Sequence, residues 1–160
     1  MRFATLSMAR RILPLSAAIA LAAVLALPAL ARPRDSEECS AKTIRGVYLF
    51  HAAGFSIVNG AAQPKAIIET LVFDGDSNVS TPAVSVSLNG KIVQPPQGAP
   101  GMYTVDADCT GTLTFMDAAG NKFDLQIKPT GDGFNMLQTN DNTVLQGTAE
   151  RVSRLRPEHE

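Results

Sequence analysis

Phe123-Asp124-Leu125-Gln126-Ile127-Lys128 decides the fold class, together with the turn Pro129-Thr130-Gly131-Asp132-Gly133 that follows it. In an extended chain Phe123, Leu125 and Ile127 fall on one side, and Asp124, Gln126 and Lys128 on the other. A period of two with one apolar face marks a half-buried strand. A Pro/Gly/Asp linker of this length joins antiparallel neighbours, because a parallel return needs a crossover of about a dozen residues or more. Downstream, residues 134–139 read as the next strand, 140–142 as a turn and 144–151 as the last strand.

The same grammar extends upstream. Strands are expected at residues 44–52, 66–73, 79–88, 91–93, 102–106 and 110–116, with Pro82 bending the third. Turn signals separate them: a loop or hairpin at 54–64 around Asn59-Gly60, then Asp74-Gly75-Asp76-Ser77, Asn89-Gly90, the Pro-rich stretch 94–100, Asp106-Ala107-Asp108-Cys109, and residues 117–121. No stretch after residue 31 keeps a helical period over three turns. About eight strands with hairpin-length links predict an all-β chain. It hides its edges as an antiparallel up-and-down barrel, with a β-sandwich as the alternative.

Length and charge set the outer limits. A chain of 160 residues fits one domain, and 14 Lys plus Arg against 15 Asp plus Glu excludes a basic nucleic-acid binder. The Phe residues lack the basic companions a nucleic-acid stacking platform needs. Arg2, Arg10 and Arg11 precede an apolar run over residues 12–27 that ends at Pro28 and Ala29-Leu30-Ala31. That is the layout of a cleavable signal peptide, cut near Ala31, and the run is short for a membrane span. The expected organisation is a signal peptide over 1–31, a polar arm over 32–43, a β-barrel domain over 44–152 and a tail over 153–160. The mature chain has no transmembrane span and is periplasmic or secreted. Without the three signal arginines it carries 11 basic against 15 acidic residues, a net charge of −4.

Cys39 and Cys109 are the only cysteines. Two cysteines in an exported chain, with no C-x-x-C and no adjacent His, pair most simply as a structural disulfide.

Few residues carry chemistry. Glu69 interrupts an apolar strand; facing inward it would be a desolvated carboxylate with a raised pKa. His51 lies on the first strand, while His159 sits between acids in the tail. Asp74-Gly75-Asp76-Ser77-Asn78 begins like a calcium loop, but Val79 stands where that loop needs Gly and Ser85 where it needs Glu, so it reads as a turn. There is no phosphate-binding glycine loop, no nucleophile elbow and no His/Cys cluster for a metal. No catalytic residue, cofactor or metal ligand is assigned.

Gly46-Val47-Tyr48 at the opening of the first strand and Arg151 at the end of the last resemble the barrel closure of the calycins. There the lipocalins carry G-x-W packed on a basic residue, and here Tyr48 takes the place of the Trp. The layout also resembles the allene-oxide-cyclase-like barrels. A longer set resembles small exported bacterial β-barrel proteins of unknown function: Gly46-x-Tyr48-x-Phe50, Phe73-Asp74-Gly75, Asn89-Gly90, residues 101–111 and Gly147-x-x-x-Arg151. These resemblances imply a barrel closed by Tyr48 and Arg151, and export; they bring no activity.

The leading expectation is therefore a non-enzymatic exported barrel that binds a small apolar or amphipathic ligand. Its interior would be drawn from Tyr48, Phe50, Glu69, Leu71, Tyr103, Phe115, Leu125 and Met136. One alternative is a cyclase or isomerase using Glu69, Tyr48 or His51. The other is an inhibitor or interaction module for an envelope or extracellular protein, acting through residues 32–40 and the loop at 94–100.

Overall fold

The computed structural model describes residues 38–155. The expected signal peptide and its cleavage site, the first part of the polar arm, and the last residues with His159 lie outside the described residues.

Nine strands follow one another: β1 (Gly46–Val58), β2 (Ala61–Phe73), β3 (Asn78–Leu88), β4 (Lys91–Val93), β5 (Ala99–Val105), β6 (Thr110–Phe115), β7 (Lys122–Ile127), β8 (Gly133–Gln138) and β9 (Thr143–Ser153). Every pairing is antiparallel, and neighbours run β2-β1-β9-β8-β7-β6-β5-β3-β4. The additional pairing of β2 with β3 closes eight of the strands into a barrel and leaves β4 as an extra strand on β3. The all-β antiparallel barrel is thus the fold, and one closed sheet replaces the two faces a sandwich would need.

Two differences from the sequence expectation have clear causes. Of the loop or hairpin expected at residues 54–64, the hairpin forms, and its two strands run on past residues 52 and 66, their expected end and start. β1 and β2 run on to a two-residue turn and pair from Gly46↔Phe73 to Val58↔Ala61. Asn59 and Gly60 take φ 52° and 76°, the left-handed pair that a tight hairpin turn demands, so the flanking residues are free to stay in the ladder. Ile44 belongs to a 3-10 turn, Ala41–Ile44, rather than to the first strand. Pro82 falls within the register shift of the β2–β3 ladder, between Thr70↔Ala83 and Val72↔Ser80, as its missing N–H requires.

On the edge opposite β2, β3 is shared between two partners. Its first half, Asn78 to Thr81, pairs with β5, and its end, Val86 to Leu88, pairs with β4. β4 and β5 are therefore one interrupted row, parted by the stretch that holds Pro95 and Pro96. Proline cannot donate to a ladder, so the chain leaves the sheet there.

Inside the barrel, alternate residues form a single apolar core: Tyr48 and Phe50, Leu71 and Phe73, Leu113 and Phe115, Phe123, Leu125 and Ile127, Phe134 and Met136. Phe73 is the hub of its aromatic part, edge-on to Tyr48, Tyr103 and Phe134 at centroid distances of 5.5, 4.9 and 5.6 Å. Edge-to-face contacts of this kind add about 0.5–1.5 kcal/mol each beyond area burial.

One end of the barrel is plugged by the 3-10 turn, whose Ile44 is fully buried. The two Gly-x-Tyr pairs, on β1 and β5, hold this plug from two sides. The Tyr103 hydroxyl donates to the Ala41 carbonyl at 3.0 Å and accepts from the Gly75 N–H at 3.0 Å. The Tyr48 hydroxyl donates to the Gly131 carbonyl and accepts from Arg151 Nε at 2.9 Å, and Arg151 Nη2 donates to the Thr43 carbonyl at 2.6 Å. The Arg151 guanidinium also lies 5.4 Å from the Tyr48 ring centroid. Gly131 has φ 64°, and a Cβ there would stand 1.9 Å from the Thr43 carbonyl oxygen, so this turn must be glycine. The Cys39–Cys109 disulfide, with Cα atoms 5.0 Å apart, ties the segment before the plug to the β5–β6 turn. The polar arm therefore ends inside the fold, with Cys39 buried.

Candidate mouth cavity

The opposite end keeps a cavity of about 240 Å³. Val84, Val86 and Leu88 of β3 and Val93 of β4 line it, with Pro95 and Pro96 of the interrupted row beside them. Pairing of Val86 with Val93 puts both on this inward face. Phe115 and Phe123 also line it, their rings edge-on at 6.1 Å. Polar groups complete the lining: Lys65, Glu69, Thr81, Asp117, Asn121 and Gln138.

Glu69 faces inward, on the same strand parity as Ile67, Leu71 and Phe73, and is only 7% exposed. Burial pushes its carboxyl up to about 7; the negative charge of Asp117 adds to this, and a hydrogen bond with Thr81 opposes it. Lys65 sits four residues nearer the β1–β2 turn on the same face, and burial lowers its ammonium pKa. Its Nζ donates to Gln138 Oε1 at 3.4 Å. Gln138 Nε2 in turn donates to Asn121 Oδ1 at 2.8 Å and Asn140 Oδ1 at 3.1 Å. This chain from β2 to β8 and its flanking turns engages both ends of the Gln138 amide and leaves the lysine charge facing a neutral partner.

The residues expected to line a binding interior all point inward, but they do not share one place. Glu69 and Phe115 border the mouth cavity. Tyr48 and Tyr103 hold the plug at the other end, and Phe50, Leu71, Leu125 and Met136 belong to the packed core. His51 is exposed on the outer face, where its ring nitrogen lies 3.1 Å from the Thr148 hydroxyl. The candidate groups for a cyclase or isomerase, Glu69, Tyr48 and His51, thus occupy three separate regions, and no two of them share a cavity.

Thr81, Gln138, Lys65 and the valines of β3 were not singled out from sequence. A signal did exist for two of them: Thr81 shares strand parity with the buried Val79, and Gln138 with Phe134 and Met136. A polar residue at an inward position is informative in a way that an exposed leucine is not.

A larger depression, of about 820 Å³, lies on the outer face over β2, β1, β9, β8 and β7. Two cross-strand rows form its floor, Ile68-His51-Thr148-Asn135-Gln126 and Ala66-Ala53-Gln146-Leu137-Asp124. It is more open than the mouth cavity and mixes apolar residues such as Ile68 and Leu137 with polar ones such as His51 and Gln126, so the mouth cavity is the better-enclosed site despite its smaller volume. The Asp74 string is a turn: Asp74 Oδ1 accepts from the Asp76 and Asn78 N–H groups at 2.7 and 3.0 Å, and Oδ2 from Asn78 Nδ2 at 2.6 Å. Among the described residues, no three His, Cys, Asp or Glu side chains are grouped to hold a metal ion, and no helix is long and apolar enough to cross a membrane.

Compared with known proteins, the chain matches no family model, and no solved structure matches it significantly.

Proposed function

We propose that this chain is an exported, non-enzymatic binding module that takes a small amphipathic ligand into the mouth of its barrel. The observation that carries the reading is the cavity of about 240 Å³ between an apolar valine and proline wall and the buried carboxyl of Glu69. Sites for small ligands are concave, mostly apolar and furnished with a few convergent polar groups. The volume falls below the roughly 300–1,000 Å³ of pockets that bury drug-sized molecules, so the ligand is smaller than those. The disulfide and the apolar segment before Ala31 support export, and the separation of Glu69, Tyr48 and His51 argues against the cyclase alternative.

Native mass spectrometry of protein purified from an exporting host tests this directly. A nonprotein mass that is lost on denaturation, and absent from Val86→Trp protein, is the expected result. Val86 lines the cavity, and an indole there fills it. A ligand retained by Val86→Trp protein would place binding elsewhere and refute the reading.

A further inference from the structure

Resting on that reading, we infer that the mouth cavity is built for an organic cation: a protonated amine carried on a small apolar body, with Glu69 as its counter-ion. The Glu69 side chain is buried in the cavity wall, across the ladder from Phe50 and Val84, and its carboxylate offers roughly four acceptor positions. Phe115 and Phe123 border the same space, and an ammonium is attracted to an aromatic face. The charged groups that face the cavity are Lys65, Glu69 and Asp117, an excess of one negative charge when both acids are ionised. The single cation among them is already hydrogen-bonded to Gln138. Glu69 and Asp117 repel one another across the site, and a bound ammonium would remove that repulsion. The size agrees with one ring and a short arm, since an apolar cavity of roughly 150 Å³ holds benzene.

An anionic ligand is the poorer fit. It would meet Glu69 and Asp117 within the same lining, and only the Gln138-bonded Lys65 could answer it. A neutral ligand adds no positive charge beside the ionised form of Glu69, which makes no ion pair with the Gln138-bonded Lys65 of the same lining. Burying a carboxylate without a partner is costly, so the neutral case favours its protonated form, whereas a cation favours its ionised form.

Three probes on one scaffold test the inference: benzylamine, benzyl alcohol and benzoate. Each is titrated into protein purified from a host expressing the full chain, and followed by NMR and calorimetry. The expected result at pH 8 is that benzylamine binds at least tenfold more tightly than the other two. Glu69→Gln should erase that preference, so that the three probes no longer differ by tenfold in that variant. Apparent affinity for the amine should fall roughly a hundredfold between pH 8 and pH 5, as the ionised fraction of a carboxyl near 7 falls. If Glu69→Gln protein does not fold, the pH series on the unaltered protein decides alone. Equal binding of alcohol and amine, or a flat pH profile for the amine, overturns the cation inference and leaves the mouth as a binding site. Failure of all three probes together with an empty native mass spectrum removes the binding reading itself.

Discussion

Glu69 ties stability to pH in a direction opposite to that of an ordinary surface carboxylate. Its carboxyl titrates at about 7 in the folded chain against 4.5 when unhindered. Between these values the native state holds a proton that the unfolded chain has released, so stability falls as pH rises. The loss begins near the unfolded value and is complete once pH passes the folded one. Ionised, this buried group costs the native state about 3 kcal/mol. Glu69→Gln keeps the shape and the neutral state, so the variant should remain at the stability the unaltered protein has near pH 4.5. Urea denaturation from about pH 4.5 to 8.5 measures the difference, with the disulfide intact throughout. The two proteins should coincide at the acid end and differ by about 3 kcal/mol at the alkaline end, or by about 10 °C in melting temperature. Asp74, Asp108 and Asp132 are held below an ordinary 3.8, and Tyr48 and Tyr103 above an ordinary 10.0, so their contributions lie outside this window. A slope that persists unchanged in Glu69→Gln protein would refute the assignment of the carboxyl to the desolvated interior.

Other perturbations probe the plugged end. Reducing Cys39–Cys109, 70 residues apart in sequence, should lower stability by about 4 kcal/mol, seen as an earlier melt with reductant than without. Tyr48→Phe removes the hydroxyl shared by Gly131 and Arg151 and should cost about 1–3 kcal/mol in urea titrations, leaving cavity binding unchanged. Gly131→Ala forces an L-residue to φ 64° with its Cβ on the Thr43 carbonyl, a cost of about 2–4 kcal/mol that calorimetry would register. Arg151→Lys keeps the charge but cannot reach Tyr48 and Thr43 with two separate nitrogens. It should therefore destabilise nearly as much as Arg151→Ala in the same titrations.

Sequence alone determined what depends on neighbours along the chain. The alternation through Phe123, Leu125 and Ile127 and the Asn-Gly pairs specified strands and tight turns, because side-chain period and turn dihedrals are local properties. Hairpin-length links then made antiparallel neighbours the natural arrangement, and the only two cysteines, Cys39 and Cys109, made a pair. The inward face of β2 was also legible as one of two parities, with Glu69 on the side of Ile67 and Leu71. What sequence did not determine was where along the barrel axis each inward residue lies. Tyr48 and Glu69 face the same interior, yet one holds the plug and the other borders the mouth. That separation follows from register: β1 pairs with β2 from Gly46↔Phe73 upward, so residues near the start of β1 meet those near the end of β2. Register between strands, and the closure of β2 on β3, are set by the joint burial of side chains distant in sequence. Only the tertiary structure could therefore bring Thr81, Asn121, Gln138 and the β3 valines to one cavity and leave His51 on the outer face.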